Sequence, residues 1–386
     1  MAGVHWCFFN SRGSGCWFLA SALLDKHKHQ PMDTPHRRMA QRLLWPRHRI
    51  QLMEMSMPLP GPRNSLTDIP GLLVGHAEDP AAQTGVTVIR TAGAWTAGVD
   101  IRGGGPGGRE TAALEPQNMV GQLHALVFSG GSVFGLGAAD AVAAALSAEG
   151  VGLQLHAGAP AIPIVPAAVL HDLANAGNKH WGLEPPYRRL GFSALNAAGK
   201  EIAEGRVGAG VGAMAGILPG GLGSASLDLG DGLIVAALAV ANPIGSVYMP
   251  DGETFWAWPW EVDGEFGGHR PDFQQQVAEP IPELSRLDAM GRLQTGANTT
   301  LVVVACNARL TTAECTRLAI MAQDGIARAV RPAHLPFDGD TVFALASGAQ
   351  EIASGPRRQV DVGRLGSAAA DCVARAIARG VYRGKY

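Results

Sequence analysis

NTTLVVVACNARL, residues 298–310, sets two threonines behind an asparagine and then runs into an unbroken apolar stretch, 301–306, rich in β-branched side chains. A run this short with polar residues on both sides reads as a strand covered on both faces. Its polar head is the chemically informative end. The Thr299 hydroxyl can attack the carbonyl of Asn298, turning the amide into an ester by an N-to-O acyl shift. Hydrolysis of that ester frees a new α-amine on the same residue. Nucleophile and base then belong to one residue, because an α-amine with a pKa near ~8 can take the hydroxyl proton at neutral pH. A threonine at a strand start more often serves turn backbone, so the dipeptide by itself leaves both readings open.

Downstream, Asp338-Gly339-Asp340 leads directly into a second apolar run, 341–345. Carboxylates two residues apart on an extended segment point the same way, so one can orient the Thr299 hydroxyl and the other its amine; the alternative is an ordinary turn. Upstream, the runs 86–90, 95–101, 123–128 and 233–240 also read as strands. Asn242, just past the last of these, is a candidate side-chain donor to an oxyanion. Helical spacing appears at 133–148, with Ser132 as N-cap, at 311–330 and at 365–379. These elements predict a layered α/β or α+β domain.

The glycine-rich stretch 103–110 follows a strand but lacks the Lys-Ser/Thr of a phosphate loop and the GxGxxG spacing of a dinucleotide site. Like 130–132 and 208–212, it lets backbone approach backbone or turn N–H groups toward an oxyanion. No His/Cys/carboxylate group has metal-ligand spacing, and no cofactor is expected.

Residues 249–297 carry Phe255, Trp256, Trp258, Trp260 and the run 274–276 of glutamines without sustained periodicity. Such a long polar connector inside a compact domain is usually functional or cut. The first 56 residues hold eight of the 31 Lys+Arg but three of the 33 Asp+Glu, and five of the 12 His. That shift marks them as an unstructured leader or an upstream start, with Met55 or Met57 opening the folded part. Over all 386 residues, 47% hydrophobic and 17% charged composition describes a globular chain, and a net charge of −2 gives no field to attract nucleic acid. Apolar runs stop well short of the ~18 residues of a membrane span. Five cysteines without CxxC spacing argue against a disulfide framework and for a reducing cytoplasm.

Eight segments in order resemble one family: NSLTDIPGLLVGH (64–76), GGGPGGRET (103–111), FSGGSVFGLGAAD (128–140), PIVPAAVLHDL (163–173), VGAGVGA (207–213), GGLGSASL (220–227), NTTLVVVACNARL (298–310) and FDGDTVFALASG (337–348). Together they are similar to the self-processing aminopeptidases that include L-aminopeptidase/D-amino-acid esterases, β-peptidyl aminopeptidases and nylon-oligomer hydrolases. The resemblance implies an αββα sandwich of α+β class with an N-terminal-nucleophile type of active site. It implies one catalytic domain, 57–386, cut between Asn298 and Thr299 into 57–298 and 299–386, which stay together. Thr299 matches the family nucleophile, Asp338 and Asp340 the carboxylate pair of the nylon-oligomer branch, and Asn242 the asparagine of the oxyanion region. Pro219 stands where many relatives have Lys, and His171 where they have an aromatic residue, so those two roles do not carry over.

The implied activity is hydrolysis of amide bonds in peptides, β- or D-amino acid amides or ω-amino acid oligomers. An acyltransferase of the related ornithine acetyltransferase type would use the same exposed threonine. The expected partners are a small peptide or amide substrate, the chain's own two fragments and further copies in a homo-oligomer, with neither nucleic acid nor membrane.

Overall fold

Strand β10, Thr299–Ala308, is an interior strand of the sheet, and its side chains alternate between two cores. Leu301, Val303 and Ala305 face one, Val302, Val304 and Cys306 the other, and all are fully buried. The period of two explains how a continuous apolar run is satisfied on both sides, each buried Val or Leu contributing ~1.5–3 kcal/mol.

A computed structural model describes residues 58–272, 279–287 and 298–385, within a compact unit spanning Ser56–Tyr386. The leader expected at 1–56 and the residues just before the expected cut lie outside the described residues. In chain order the strands begin with β1 (Leu72–Asp79), β2 (Thr84–Ile101), β3 (Gly108–Arg109) and β4 (Gln122–Ser129). Helix α1 (Gly137–Ala148), β5 (Ala167–Val169) and α2 (Tyr187–Asn196) follow. The hairpin β6 (Met214–Ala215) and β7 (Leu218–Pro219) precedes β8 (Gly221–Asp228) and β9 (Ile234–Asn242). After β10 come α3 (Thr312–Ala329), β11 (Thr341–Gln350) and α4 (Pro356–Gly384).

Among the described residues nine strands form one sheet in the order β3-β5-β4-β2-β11-β10-β9-β8, with β1 added on β2. The long β2 joins its two halves, pairing with β1 and β4 near its start and with β11 near its end. One inner core takes side chains from both halves, including Ile89, Phe128, Leu238, Val303 and Phe343. Helices α3 and α4 cover the outer face of the β8–β11 half, and α1 and α2 the outer face of the other. The layers therefore run helix, sheet, sheet, helix, as expected.

Local chemistry accounts for the elements that place the site. Thr311 caps α3 through a reciprocal box: its hydroxyl accepts from Glu314 N (3.2 Å) and the Glu314 carboxylate accepts from Thr311 N (2.8 Å). Helix α3 then buries Cys315, Leu318, Ala319, Ala322 and Ile326 along one stripe and returns the chain so that β11 lies parallel to β10. Helix α4 rides close on β8 because Gly223 has no side chain: a Cβ there would lie 2.2 Å from Ala376 O.

The structure corrects two readings. Ser132 is not an N-cap; it has φ +50° and caps nothing, because Gly131 (φ +81°) gives its N–H to Asp172 and the chain makes a 3₁₀ turn before α1 starts at Gly137. The runs 86–90 and 95–101 are one strand, since the irregularity between Arg90 and Trp95 is bridged by pairing on both sides.

Candidate active site

Asn242, Asn298, Thr299, Asp338 and Asp340 lie together at one end of β9, β10 and β11, each 2% exposed or less. Sheet register does the positioning. In the antiparallel β9–β10 ladder Thr299 sits directly opposite Asn242, and Asn298 bridges Asp338 in parallel fashion. Residues far apart in sequence thus converge because two strand ends and the loop before a third coincide.

The Asn298 carbonyl oxygen accepts the Thr299 hydroxyl at 2.5 Å and Gly339 N–H at 2.8 Å. The first contact holds the hydroxyl against its own preceding peptide bond; the second aims a backbone donor at the oxygen that gains charge if that bond is attacked. Gly339 must be glycine for this arrangement, since a Cβ there would lie 2.5 Å from Thr299 Oγ1. The glycines of 103–105 are spent on holding this loop: Gly103 N donates to Asp340 O (3.3 Å), Gly104 N to Leu335 O (3.3 Å) and Gly105 N to Asp338 O (2.8 Å).

Both carboxylates grip backbone. Asp340 Oδ1 accepts Thr300 N (2.7 Å) while its Oδ2 accepts His334 N (3.2 Å) and faces His334 Nδ1 (2.8 Å). Asp338 Oδ2 accepts Leu335 N (2.8 Å). Burial, and then the charge of Asp340, push the Asp338 carboxyl up to about 7. In this uncut chain the Thr299 hydroxyl is hydrogen-bonded to the Asn298 carbonyl and to neither carboxylate. The Asn298 amide and the Thr300 hydroxyl are buried with no hydrogen-bond partner among the described residues.

Asn242 is fixed at its oxygen, which accepts Met214 N (2.9 Å), while among the described residues its Nδ2 makes only a 3.5 Å contact to His171 O and so remains the donor end. Pro219 lies across the β6–β7 hairpin from Met214. A cation does occupy this corner: Arg286 Nη2 donates to Met214 O (3.0 Å), Asn242 O (3.3 Å) and Pro243 O (2.9 Å). Burial pushes Arg286 down to about 10, opposed by the nearby Asp338, so it stays charged.

Arg286 and His334 were not singled out from the sequence. Arg286 sits in the aperiodic connector, where nothing separates it from other arginines. His334 had one available signal, its place four residues before Asp338.

The model of peptidase family S58 matches residues 64–386. An uncharacterized aminopeptidase of Mycobacterium bovis is 44% identical over 335 residues, covering 82% of this chain and 93% of that one. A 6-aminohexanoate-oligomer endohydrolase of Kocuria sp. is 30% identical over 320 residues, covering 79% and 82%. Among solved structures, a Burkholderia sp. β-aminopeptidase superposes with a TM-score of 0.62 at 27% identity, covering 86% of this chain and 91% of that one. The L-aminopeptidase D-Ala-esterase/amidase of Ochrobactrum anthropi, described as a variant of the Ntn hydrolase fold, gives 0.60 at 22% identity over 84% and 87%.

Proposed function

The chain belongs to peptidase family S58, and on that premise we propose that it is a self-processing amidohydrolase whose working nucleophile is Thr299. The observation that carries this reading is the placement of the Thr299 hydroxyl 2.5 Å from the Asn298 carbonyl oxygen, with Gly339 N–H on the same oxygen. In the first step a bond forms between Thr299 Oγ1 and the Asn298 carbonyl carbon, and the bond to the Thr299 nitrogen breaks as that nitrogen takes up a proton. Water then cleaves the ester, leaving a carboxylate on Asn298 and a free α-amine on Thr299. The same hydroxyl next attacks a substrate amide, with the α-amine as base and Asn242 Nδ2 as a donor to the tetrahedral oxyanion. Asp338, which gains and loses its proton near neutrality, and Asp340 organise the surrounding backbone.

Substrates of the proposed kind are short peptides, β- or D-amino acid amides and ω-amino acid oligomers. The relatives named for aminopeptidase, β-aminopeptidase and 6-aminohexanoate-oligomer activity support that range. Thr299→Ser is expected to keep partial cleavage and amide hydrolysis, and Thr299→Ala to lose both. Full amide hydrolysis by Thr299→Ala would remove Thr299 from the mechanism. A free amino acid that accelerates acyl-enzyme turnover and appears acylated in the product would instead favour the acyltransferase.

A further inference from the structure

The two carboxylates beside Thr299 are held differently, and the difference lies in one residue. His334 is a non-glycine residue at φ +57°, a left-handed conformation unfavourable for most side chains. That turn aims two successive amides at the pair: His334 N reaches Asp340 Oδ2 (3.2 Å) and Leu335 N reaches Asp338 Oδ2 (2.8 Å). The His334 ring adds a third contact, Nδ1 to the same Asp340 oxygen at 2.8 Å, while Thr300 N holds the other oxygen at 2.7 Å. Asp340 thus has three partners on its two oxygens, one of them an imidazole; Asp338 receives the backbone N–H groups of Leu335 and Ile244, without a ring, and faces the charge of Asp340.

We infer that His334 is the positioning residue that holds the Asp340 carboxylate in place and so makes Asp338 the carboxyl of the pair that carries the exchangeable proton. The proposal deepens the reading of this site as catalytic and rests on it for its consequence, though the charge division itself is a property of the uncut chain. The Thr300 and His334 amides and the His334 ring together fix both oxygens of the Asp340 carboxylate in one orientation. With that charge fixed nearby, a buried second carboxyl is easier to protonate, which accounts for the upward displacement of Asp338. The charged groups acting on the pair are His334 on the same loop and Arg286 from the connector, which bears on Asp338. The ring is partly open to solvent, its side chain 23% exposed, so exchange with bulk protons is not blocked.

The test uses full-length protein carrying Thr299→Ala, with its single uncut mass checked before the titration. Aspartate carboxyl carbons are followed by ¹³C NMR across pH, with Asp338→Asn and Asp340→Asn as assignments. His334→Gly removes the ring and suits a positive φ; His334→Asn also tolerates that φ and puts an amide N–H where Nδ1 stood. Relative to the His334 parent, Gly is expected to raise the titration midpoint of the pair by about one pH unit, a tenfold change in proton affinity, and Asn to restore most of it. An unmoved midpoint in the Gly variant, or a shift that Asn fails to reverse, would overturn the assignment. In the Thr299 parent, the acid limb of the self-cleavage rate should move in the same order. If that parent is never cut, the nucleophile reading fails while the NMR result still judges His334.

Discussion

At the scale of single residues the site is a problem in proton placement. Thr299 brings a hydroxyl to the Asn298 carbonyl, and the two carboxyls that surround the bond differ in what they touch. Asp338 organises the loop as a carboxylate accepting Leu335 N, so self-cleavage should rise with pH as its proton leaves, through about 7. Asp340→Asn removes the second cause that holds Asp338 up, and the remaining activity should therefore titrate at lower pH than in the unaltered protein. Its maximal rate should fall by ~10–10²-fold, because Asp340 holds Thr300 N beside the bond that is attacked and a small misplacement there is costly. The measurement is a pH–rate profile for both proteins; an unchanged rate with an unchanged acid limb would reduce Asp340 to a turn residue. The types and spacing of these residues were legible in the sequence. What each carboxylate holds was not, because the partners, Thr300 N and the His334 ring, are chosen by the loop's three-dimensional path.

At the scale of elements, the site exists because β9, β10 and the loop before β11 end at the same level. Gly339 is where that fit is tightest. Gly339→Ala would drive a methyl to 2.5 Å from the Thr299 hydroxyl and 3.1 Å from Gly105 O, so processing should slow by at least ~10-fold while the fold persists. Gly363 in α4 is the control: no described residue lies within 4 Å of its would-be Cβ, and Gly363→Ala should stabilise by ~0.5–1 kcal/mol with processing unchanged. Cleavage kinetics and thermal melts of both variants check the contrast; normal processing in Gly339→Ala would break the proposed contact. Strands with β-branched runs, such as β9 and β10, were readable from pattern alone. Strand β8 was not, because its GLGSASLD sequence is selected for the close approach of α4 rather than for β propensity, a tertiary demand invisible to local rules. Helix α4 extends beyond the expected 365–379 to Pro356–Gly384 because packing against β8 and β9 sustains it past its clearest periodic stretch.

At the scale of the molecule, the proposed cut leaves two pieces that must stay associated, and a buried ionic network joins them. Arg375, 1% exposed, lies after the cut; its guanidinium donates to Glu265 (2.6 and 3.1 Å), Asn64 Oδ1 (2.9 Å) and Ser226 O (3.0 Å), all before it. Arg379 adds bonds to Glu265 (3.2 Å) and Glu204 (3.0 Å). Burial opposes the charge on Glu265, but the two arginines hold its carboxyl below the usual range. Removing one partner strands the other, so Arg375→Ala should cost ~3–5 kcal/mol in denaturant melts and let the pieces separate at lower denaturant concentration. A loss under ~1 kcal/mol would mean that the apolar core alone joins the pieces. Everything in this account depends on whether the bond between Asn298 and Thr299 breaks by itself. Intact-mass spectrometry of the purified protein, with N-terminal sequencing of the smaller piece, decides it: the account predicts a fragment beginning Thr299-Thr300-Leu301 and a single uncut mass for Thr299→Ala, and active protein found only at full-length mass would contradict it.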